Sequence, residues 1–285
     1  MCIRQTIADK IISIIEKGIT TVGPRWTGSN GQGLPRNALT GQAYRGVNVV
    51  LLWAEAAEKQ YCSNLWLTYR QAQELGGQVR KSEKSVLCVY FQKAEKEAQD
   101  DQNEKNSYAL IKPFFLFNIA QIDGLPMDMT ILAVANDFNP IKAAEDFLAR
   151  TKATIRHGFD SAFYVPQRDE ICLPTRERFT SEGNYYATAL HEVSHWTGHE
   201  SRLNRAFGKR FGDDRYAVEE LVAELSAAFT MGHLGMVDGT IELHADYLQG
   251  WLKCLKADKQ AIFTAASQAS KSFDYLIGLT RDVEQ

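Results

Sequence analysis

One short segment of the chain combines two imidazoles and a carboxylate at a spacing that suits a metal ion. It reads His191-Glu192-Val193-Ser194-His195, with the two histidines four residues apart. On a helix such residues share one face, with Cβ atoms about 5–6 Å apart, so both rings can bind one Zn²⁺ ion. Glu192 would face the same cleft and accept a proton from water activated by the metal. The segment therefore predicts a zinc site, with Mn²⁺ or another divalent ion as the alternative, and Glu192 as catalytic base.

A catalytic zinc ion usually takes three protein ligands, and the helix predicted at 216–234 offers the third. Glu220 and Glu224 lie one turn apart on its largely apolar face, where carboxylates are unfavourable unless they bind a cation or a donor. We expect Glu220 to bind the metal and Glu224 to hold an imidazole from behind. This spacing resembles the gluzincin pattern. Exchanged roles for the two residues, or two carboxylates facing solvent, stay open.

Other polar residues beside these motifs receive different assignments. Tyr216, one turn before Glu220, is placed to stabilise an oxyanion as a catalytic residue, although core packing explains it equally well. Glu219 points to another face of the helix, and we expect it in solvent. His199 comes too early for a metzincin, whose third histidine follows the second by six residues, so we expect it at the surface or behind the ligands.

Charge and histidine are unevenly distributed along the 285 residues. Positions 1–93 carry 12 basic and 6 acidic residues, whereas positions 94–285 carry 20 and 29 and all six histidines. This asymmetry favours two domains with different chemistry, which we place at 1–130 and 131–285. No apolar run approaches the roughly 18 residues of a membrane span, and five scattered cysteines fit a reducing compartment. We therefore expect a cytoplasmic protein without a membrane partner.

Hydrophobic periodicity and turn residues predict an α+β fold. The first domain is expected to mix helices with a sheet, and the second to be mostly helical with a small sheet. Polar residues 93–107 are expected to form a hairpin loop, and Asn48 is a candidate helix cap. Helices are predicted at 3–19, 47–59, 69–75, 140–150, 181–196, 216–234, 241–256 and from 259 to about 271. Strands are predicted at 86–91, 108–111, 113–119, 153–155, 161–165 and 170–173.

Basic and aromatic residues alternate in the first domain. Single-stranded nucleic acid is held by cations along its phosphates and by rings that stack on its bases. No motif for sequence-specific readout is present, so we expect largely sequence-independent binding of single-stranded DNA. A basic solvated face, with Trp53 and Tyr90 in the core, is the alternative. The candidate residues are Arg25, Trp26, Arg36, Tyr44, Arg45, Trp66, Tyr69, Arg70, Arg80, Lys81 and Lys84.

Several segments resemble the ArdC-type antirestriction proteins of conjugative plasmids. They are 35–48, 66–72 and 76–84 in the first half, and 185–199, 201–205 and 216–229 in the second. The resemblance implies an N-terminal domain that binds single-stranded DNA and a C-terminal zincin-like metallopeptidase domain. It also implies protection of incoming plasmid DNA from host restriction, which makes a host restriction component a further candidate partner. Ser82 departs from this pattern, which has glycine in the basic turn.

Two functions remain open at this point, beside a third interpretation as a structural metal protein without affinity for DNA. In the first, the protein binds DNA during conjugative entry and interferes with restriction, and its metal site need not hydrolyse anything. In the second, it is an active zinc endopeptidase that cleaves a host protein and uses its DNA-binding domain for localisation. The sequence supports metal chemistry in both, so it leaves open whether the protein is an enzyme.

Overall fold

The structure, a computed structural model, describes residues 2–16, 33–95, 107–126, 140–206, 214–236 and 245–281. Arg25 and Trp26 lie outside these ranges. The described elements of the first domain are α1 (Ile3–Glu16), β1 (Arg36–Asn37), α2 (Val47–Lys59), β2 (Leu65–Leu67), α3 (Tyr69–Glu74), β3 (Gln78–Val79), β4 (Val86–Glu95), β5 (Ser107–Asn118) and β6 (Ile122–Asp123). The prediction of an α+β domain is confirmed.

The main sheet has the strand order β1-β2-β5-β4. β1 and β2 are parallel, and the other neighbours are antiparallel. β4 and β5 pair from Val86 opposite Leu116 to Glu95 opposite Ser107. Both strands extend further into the polar segment than the sequence predicts, because strand pairing here does not require apolar side chains. Pro113 lies within β5 beyond the two residues that pair with β2, where a missing N–H is tolerated.

The residue before α3 caps that helix, whereas the candidate cap of α2 does not. The Thr68 hydroxyl accepts a hydrogen bond from the Gln71 amide at 3.2 Å, and the Gln71 side chain accepts one from the Thr68 amide at 3.0 Å. This is the reciprocal capping box that stabilises a helix start. The prediction of Asn48 as the cap of α2 is wrong, because Gly46 takes that position. Asn48 instead pairs with the backbone of Val89 on β4, at 2.7 and 2.9 Å.

The second domain contains a small sheet and the longer helices. Its described elements are α4 (Pro140–Thr151), β7 (Thr154–His157), β8 (Phe163–Val165), β9 (Glu170–Leu173), α5 (Glu182–Trp196), α6 (Asp214–His233), α7 (Ala245–Ala257) and α8 (Ala261–Arg281). The strand order is β7-β9-β8, with β9 parallel to β7 and antiparallel to β8. None of the described helices has the length and apolar character needed to cross a membrane.

The largest hydrophobic cluster is shared by the two domains. It joins buried residues of α1, α2 and the main sheet to residues of α6, α7 and α8. The rings of Trp53 on α2 and Phe229 on α6 lie 6.0 Å apart, and a Cβ added to Gly232 would lie 3.1 Å from the Trp53 ring. The helix that carries Glu220 is therefore braced by the N-terminal domain.

Candidate functional site

The two histidines of α5 face a glutamate of α6. The Nε2 atoms of His191 and His195 lie 3.2 Å apart. Each also lies 3.5 Å from an oxygen of Glu220. The HExxH spacing thus brings both rings to one point, and the packing of α6 on α5 adds the carboxylate.

This arrangement fits a divalent cation. Metal–nitrogen bonds of about 2.0–2.1 Å in a tetrahedral site place neighbouring ligand atoms about 3.3–3.4 Å apart. The observed separations of 3.2, 3.5 and 3.5 Å are close to that value. The donor set of two imidazoles and one carboxylate is the one found in several zinc enzymes. His191, His195 and Glu220 are therefore suited to hold a metal together.

Each imidazole has its own carboxylate on the opposite side of the ring. Nδ1 of His191 lies 3.1 Å from Glu224, and Nδ1 of His195 lies 3.2 Å from Glu219. Such contacts fix the ring orientation and leave Nε2 for the metal. The expectation that Glu219 faces solvent is wrong, because the residue is only 5% exposed. Its position follows from the packing of α6 against α5, which a single helical face does not reveal.

Arg205 neutralises the buried charge of Glu219. It donates hydrogen bonds to both carboxylate oxygens, at 3.0 and 2.8 Å. It also donates to the Ser194 carbonyl at 2.6 Å and to the Thr197 hydroxyl at 2.7 Å. The Thr197 hydroxyl in turn lies 2.7 Å from that of Ser272 on α8. A buried polar chain thus connects His195 to the last described helix.

Protonation of the metal-free cluster is set by competition between burial and these contacts. Burial lowers the pKa of His195, but its contacts with Glu219 and Glu220 raise it to about 9. Burial also opposes the charge on His191, yet Glu220 and Glu224 hold its pKa well above the usual value. For Glu220, burial raises the pKa, but the two imidazoles lower it more strongly. These contacts therefore favour protonated imidazoles in the metal-free cluster, and a metal would compete with those protons.

Glu192 and Tyr216 line the same cavity as the three candidate ligands. The cavity has a volume of about 300 Å³, and its lining also includes Ala162, Phe163 and Tyr164. Glu192 is 6% exposed, and burial raises the pKa of its carboxyl. A raised pKa brings a carboxyl closer to the range useful for proton transfer near neutral pH. The two residues predicted as catalytic therefore lie beside the three candidate metal ligands. His199 lies outside this group and contacts Ser201 at 2.7 Å.

The structure separates the predicted DNA-binding residues into groups. The exposed residues Tyr69, Arg70, Arg80, Lys81 and Lys84 lie on α3 and around the turn that precedes β4. A second group comprises Arg36, Tyr44 and Arg45, on and after β1.

Two aromatic residues of this domain differ from expectation. Trp66 is 0% exposed, so the prediction that it stacks on a base is wrong, because its ring belongs to the hydrophobic core shared by the two domains. Tyr90, expected in the core under the alternative of a basic solvated face, is 48% exposed. Trp53 is buried as that alternative expects.

The backbone at Ser82 explains why the family pattern has glycine at this position. Its φ is +73°, in the left-handed region that favours glycine. The backbone of the basic turn therefore keeps the shape that suits glycine.

Comparisons with known proteins agree with this two-part architecture. The family model for the N-terminal domain of anti-restriction factor ArdC matches residues 1–117, and that for zincin-like metallopeptidases matches residues 142–268. An uncharacterized protein, y4eC, of Sinorhizobium fredii is 35% identical, and the match covers 99% of this chain and 94% of that protein. The DNA primase TraC of Escherichia coli is 36% identical over 96% of this chain, which spans only 27% of the primase.

Two solved structures are similar over their whole length. Both are of the antirestriction protein ArdC from plasmid R388 and match 100% of each chain. The metal-free structure has a TM-score of 0.81 at 40% identity, and the Mn(II)-bound structure has a TM-score of 0.80 at 39% identity.

Proposed function

The chain belongs to the ArdC family of antirestriction proteins, and from that membership we propose its function in three parts. Its N-terminal domain binds single-stranded DNA, α5 and α6 hold a divalent metal, and the protein protects incoming conjugative plasmid DNA from host restriction. The observation that carries the metal part is the convergence of His191, His195 and Glu220, whose ligand atoms all lie within 4.8 Å of one another. The Mn(II)-bound relative supports a divalent ion, with Zn²⁺ as the first candidate.

The residues around the metal have distinct proposed roles. His191, His195 and Glu220 hold the ion, while Glu224 orients the ring of His191. A bound divalent metal supplies a water of lowered pKa and a positive charge for a developing oxyanion. Glu192, buried beside both imidazoles, is the group that accepts and returns a proton. Tyr216 lines the same cavity and is the candidate donor to an oxyanion.

The DNA part of the proposal rests on charge and exposed rings. The N-terminal 93 residues carry twice as many basic as acidic residues, and Tyr69 and Tyr90 each expose nearly half of their surface. Cations that contact phosphates release counterions, so binding should weaken steeply with salt. Stacking on aromatic rings tolerates any base, which suits a protein that must meet plasmid DNA of unspecified sequence.

The experiment compares plasmid transfer into restricting and non-restricting recipients, with wild-type protein, Glu192→Gln and the matched surface control Glu200→Gln. We expect wild-type protein to raise the transfer ratio, and Glu192→Gln to do the same while retaining metal and DNA binding. Absence of protection by wild-type protein would contradict the antirestriction function.

The same comparison addresses the endopeptidase alternative. If Glu192→Gln keeps metal and DNA binding but loses protection, hydrolysis is required and the alternative replaces the present proposal. If protection persists, the metal site serves another purpose, such as stabilising the packing of α5 against α6.

A further inference from the structure

A second cavity lies between the two domains, and it shares no lining residue with the metal cavity. We call it the interdomain cleft; its volume is about 690 Å³, within the usual range for sites that bind small molecules. One wall is formed by β1 and the segment after it, and the other by α6 and α8. The first wall includes Arg36, Tyr44 and Arg45, and the second includes Ser270, Phe273 and Asp274.

The two walls are connected by direct polar contacts. Arg45 forms an ion pair with Asp274, and the Gly46 amide donates a hydrogen bond to the Ser270 hydroxyl at 3.0 Å. The cleft is therefore a defined space between attached surfaces, and a ligand in it would contact both domains.

A row of aromatic rings leads away from this cleft along the β4–β5 hairpin. The ring of Tyr44 stacks on that of Phe114, with centroids 6.4 Å apart and an angle of 24° between the planes. Phe114 lies 6.1 Å from Tyr90, and Tyr90 stands opposite Lys112 in the strand register. We call Tyr44, Phe114 and Tyr90 the aromatic row. Tyr44 belongs both to this row and to the wall of the cleft.

The charges around the row and the cleft suit a polyanion. Arg36 donates one hydrogen bond to the Gly41 carbonyl at 3.0 Å. Among the ion pairs of the described residues, none involves Arg36 or Lys112. Asp274 pairs with Arg45 and therefore does not neutralise the charges of Arg36 and Lys112. The row combines the exposed ring of Tyr90 with the half-buried rings of Phe114 and Tyr44. Together with cations that have no acidic partner among the described residues, these rings match a strand of bases and phosphates better than an apolar protein surface.

We propose that the interdomain cleft takes one nucleotide of a single strand that lies along the aromatic row. The base contacts the ring of Tyr44, the phosphate lies near Arg36 and Arg45, and the next bases stack on Phe114 and Tyr90. This inference rests on the proposed DNA binding and deepens it. It assigns Phe114, Tyr90 and Lys112, which were not among the predicted DNA-binding residues, and it replaces Trp66 as a stacking residue.

Photocrosslinking of the full-length protein to oligo(dT) that contains iododeoxyuridine tests the location. We expect crosslinked peptides to contain Tyr44, Phe114 or Tyr90. Crosslinks confined to the Tyr69 side of the domain would overturn the inference while leaving the proposed DNA binding intact. If the wild-type chain does not bind oligo(dT) at low salt, the proposed DNA binding itself is wrong, and this inference is wrong with it.

Binding measurements by fluorescence anisotropy on exposed-site variants give a second readout. Tyr90→Ala should weaken oligo(dT) binding by about fivefold or more, the smallest effect expected for one stacked base. Lys112→Ala should lower the steepness of the salt dependence by about 0.7 for one lost phosphate contact. The matched controls are Phe91→Ala, an equally exposed ring on the opposite face of β4, and Lys253→Ala on α7. Equal affinities for Tyr90→Ala and Phe91→Ala would overturn the inference.

Discussion

Arg205 and Glu219 form a buried ion pair immediately behind His195. The arginine donates to both carboxylate oxygens, and the two side chains are 5% and 6% exposed. Since Glu219 also contacts Nδ1 of His195 at 3.2 Å, the orientation of one candidate metal ligand depends on a residue in the segment after α5.

Replacing Arg205 by methionine should be strongly destabilising. The change leaves the carboxylate of Glu219 buried without its cation, a situation that costs about 3–5 kcal/mol in proteins. Urea unfolding of the metal-free protein measures the loss in the free energy of unfolding. Glu74→Ala, which breaks the exposed pair with Arg70, serves as control and should change stability by less than about 1 kcal/mol. Equal losses for the two variants would contradict the assigned importance of the buried pair.

Replacing Glu224 by glutamine should weaken metal binding without abolishing it. The amide removes the negative charge behind His191, and loss of such a partner lowers metal affinity by about 10–100-fold. Competition with a chelator measures the dissociation constant. Glu220→Gln should weaken binding more than Glu224→Gln, because it removes a ligand. The reverse order would show that the two glutamates have exchanged roles, the alternative that the sequence leaves open.

Metal affinity should increase with pH. The contacts of His195 raise its pKa to about 9 despite burial, so near neutral pH this ring is protonated and the metal must displace the proton. Each displaced proton makes the dissociation constant fall about tenfold per pH unit below the pKa. Titrations with Mn²⁺ at pH 6, 7 and 8 test this expectation. Affinities that do not change over this range would contradict it.

The metal-free protein should lose stability as the solution becomes alkaline. A folded-state pKa of about 9 for His195 lies above the unfolded value of about 6.5. Its contribution to stability is therefore fully present below about pH 6.5 and is lost as the pH rises through 9. Thermal melts of metal-free and metal-loaded protein between pH 6 and 9.5 should differ increasingly at the alkaline end. A constant difference would count against this protonation scheme.

Replacing Ser82 by glycine should stabilise the N-terminal domain. The residue has a φ of +73°, a conformation that glycine adopts without the steric penalty of other residues. The gain should be up to about 1 kcal/mol after the greater flexibility of glycine in the unfolded chain is counted. Urea unfolding measures it, and the exposed Ser181→Gly, which removes the cap of α5, should instead destabilise. A loss of stability in Ser82→Gly would contradict the backbone argument.

The parts of the site that could be predicted are those fixed within one helix. The i, i+4 spacing alone places His191 and His195 on one face of α5, and likewise Glu220 and Glu224 on α6. Glu219 could not be placed this way, because its burial depends on the angle at which α6 crosses α5 and on Arg205 from another segment. The sequence does show a second arginine in the segment 201–205, but only the structure identifies Glu219 as its partner.

For the aromatic residues of the N-terminal domain, too, the sequence does not report what depends on contacts between elements. Residue type alone allows either stacking on a base or packing in the core for both Trp66 and Tyr90, and strand position decides between them. Trp66 lies on the short strand β2 between neighbours on both sides, whereas Tyr90 lies on β4 at the edge of the sheet, opposite the exposed Lys112. Sheet register is set by long-range pairing, which periodicity within one strand does not report.

The shared hydrophobic core has a consequence for how genes of this kind can be assembled. Two sequence families meet in this chain, yet Trp53 from one and Phe229 from the other pack together. A gene that acquired only one of the two segments would encode a protein whose part of the shared core is exposed to solvent. Such exposed apolar surface favours aggregation. Recombination should therefore transmit both segments together. The match to the primase agrees with this expectation, because it covers 96% of this chain and so includes both segments.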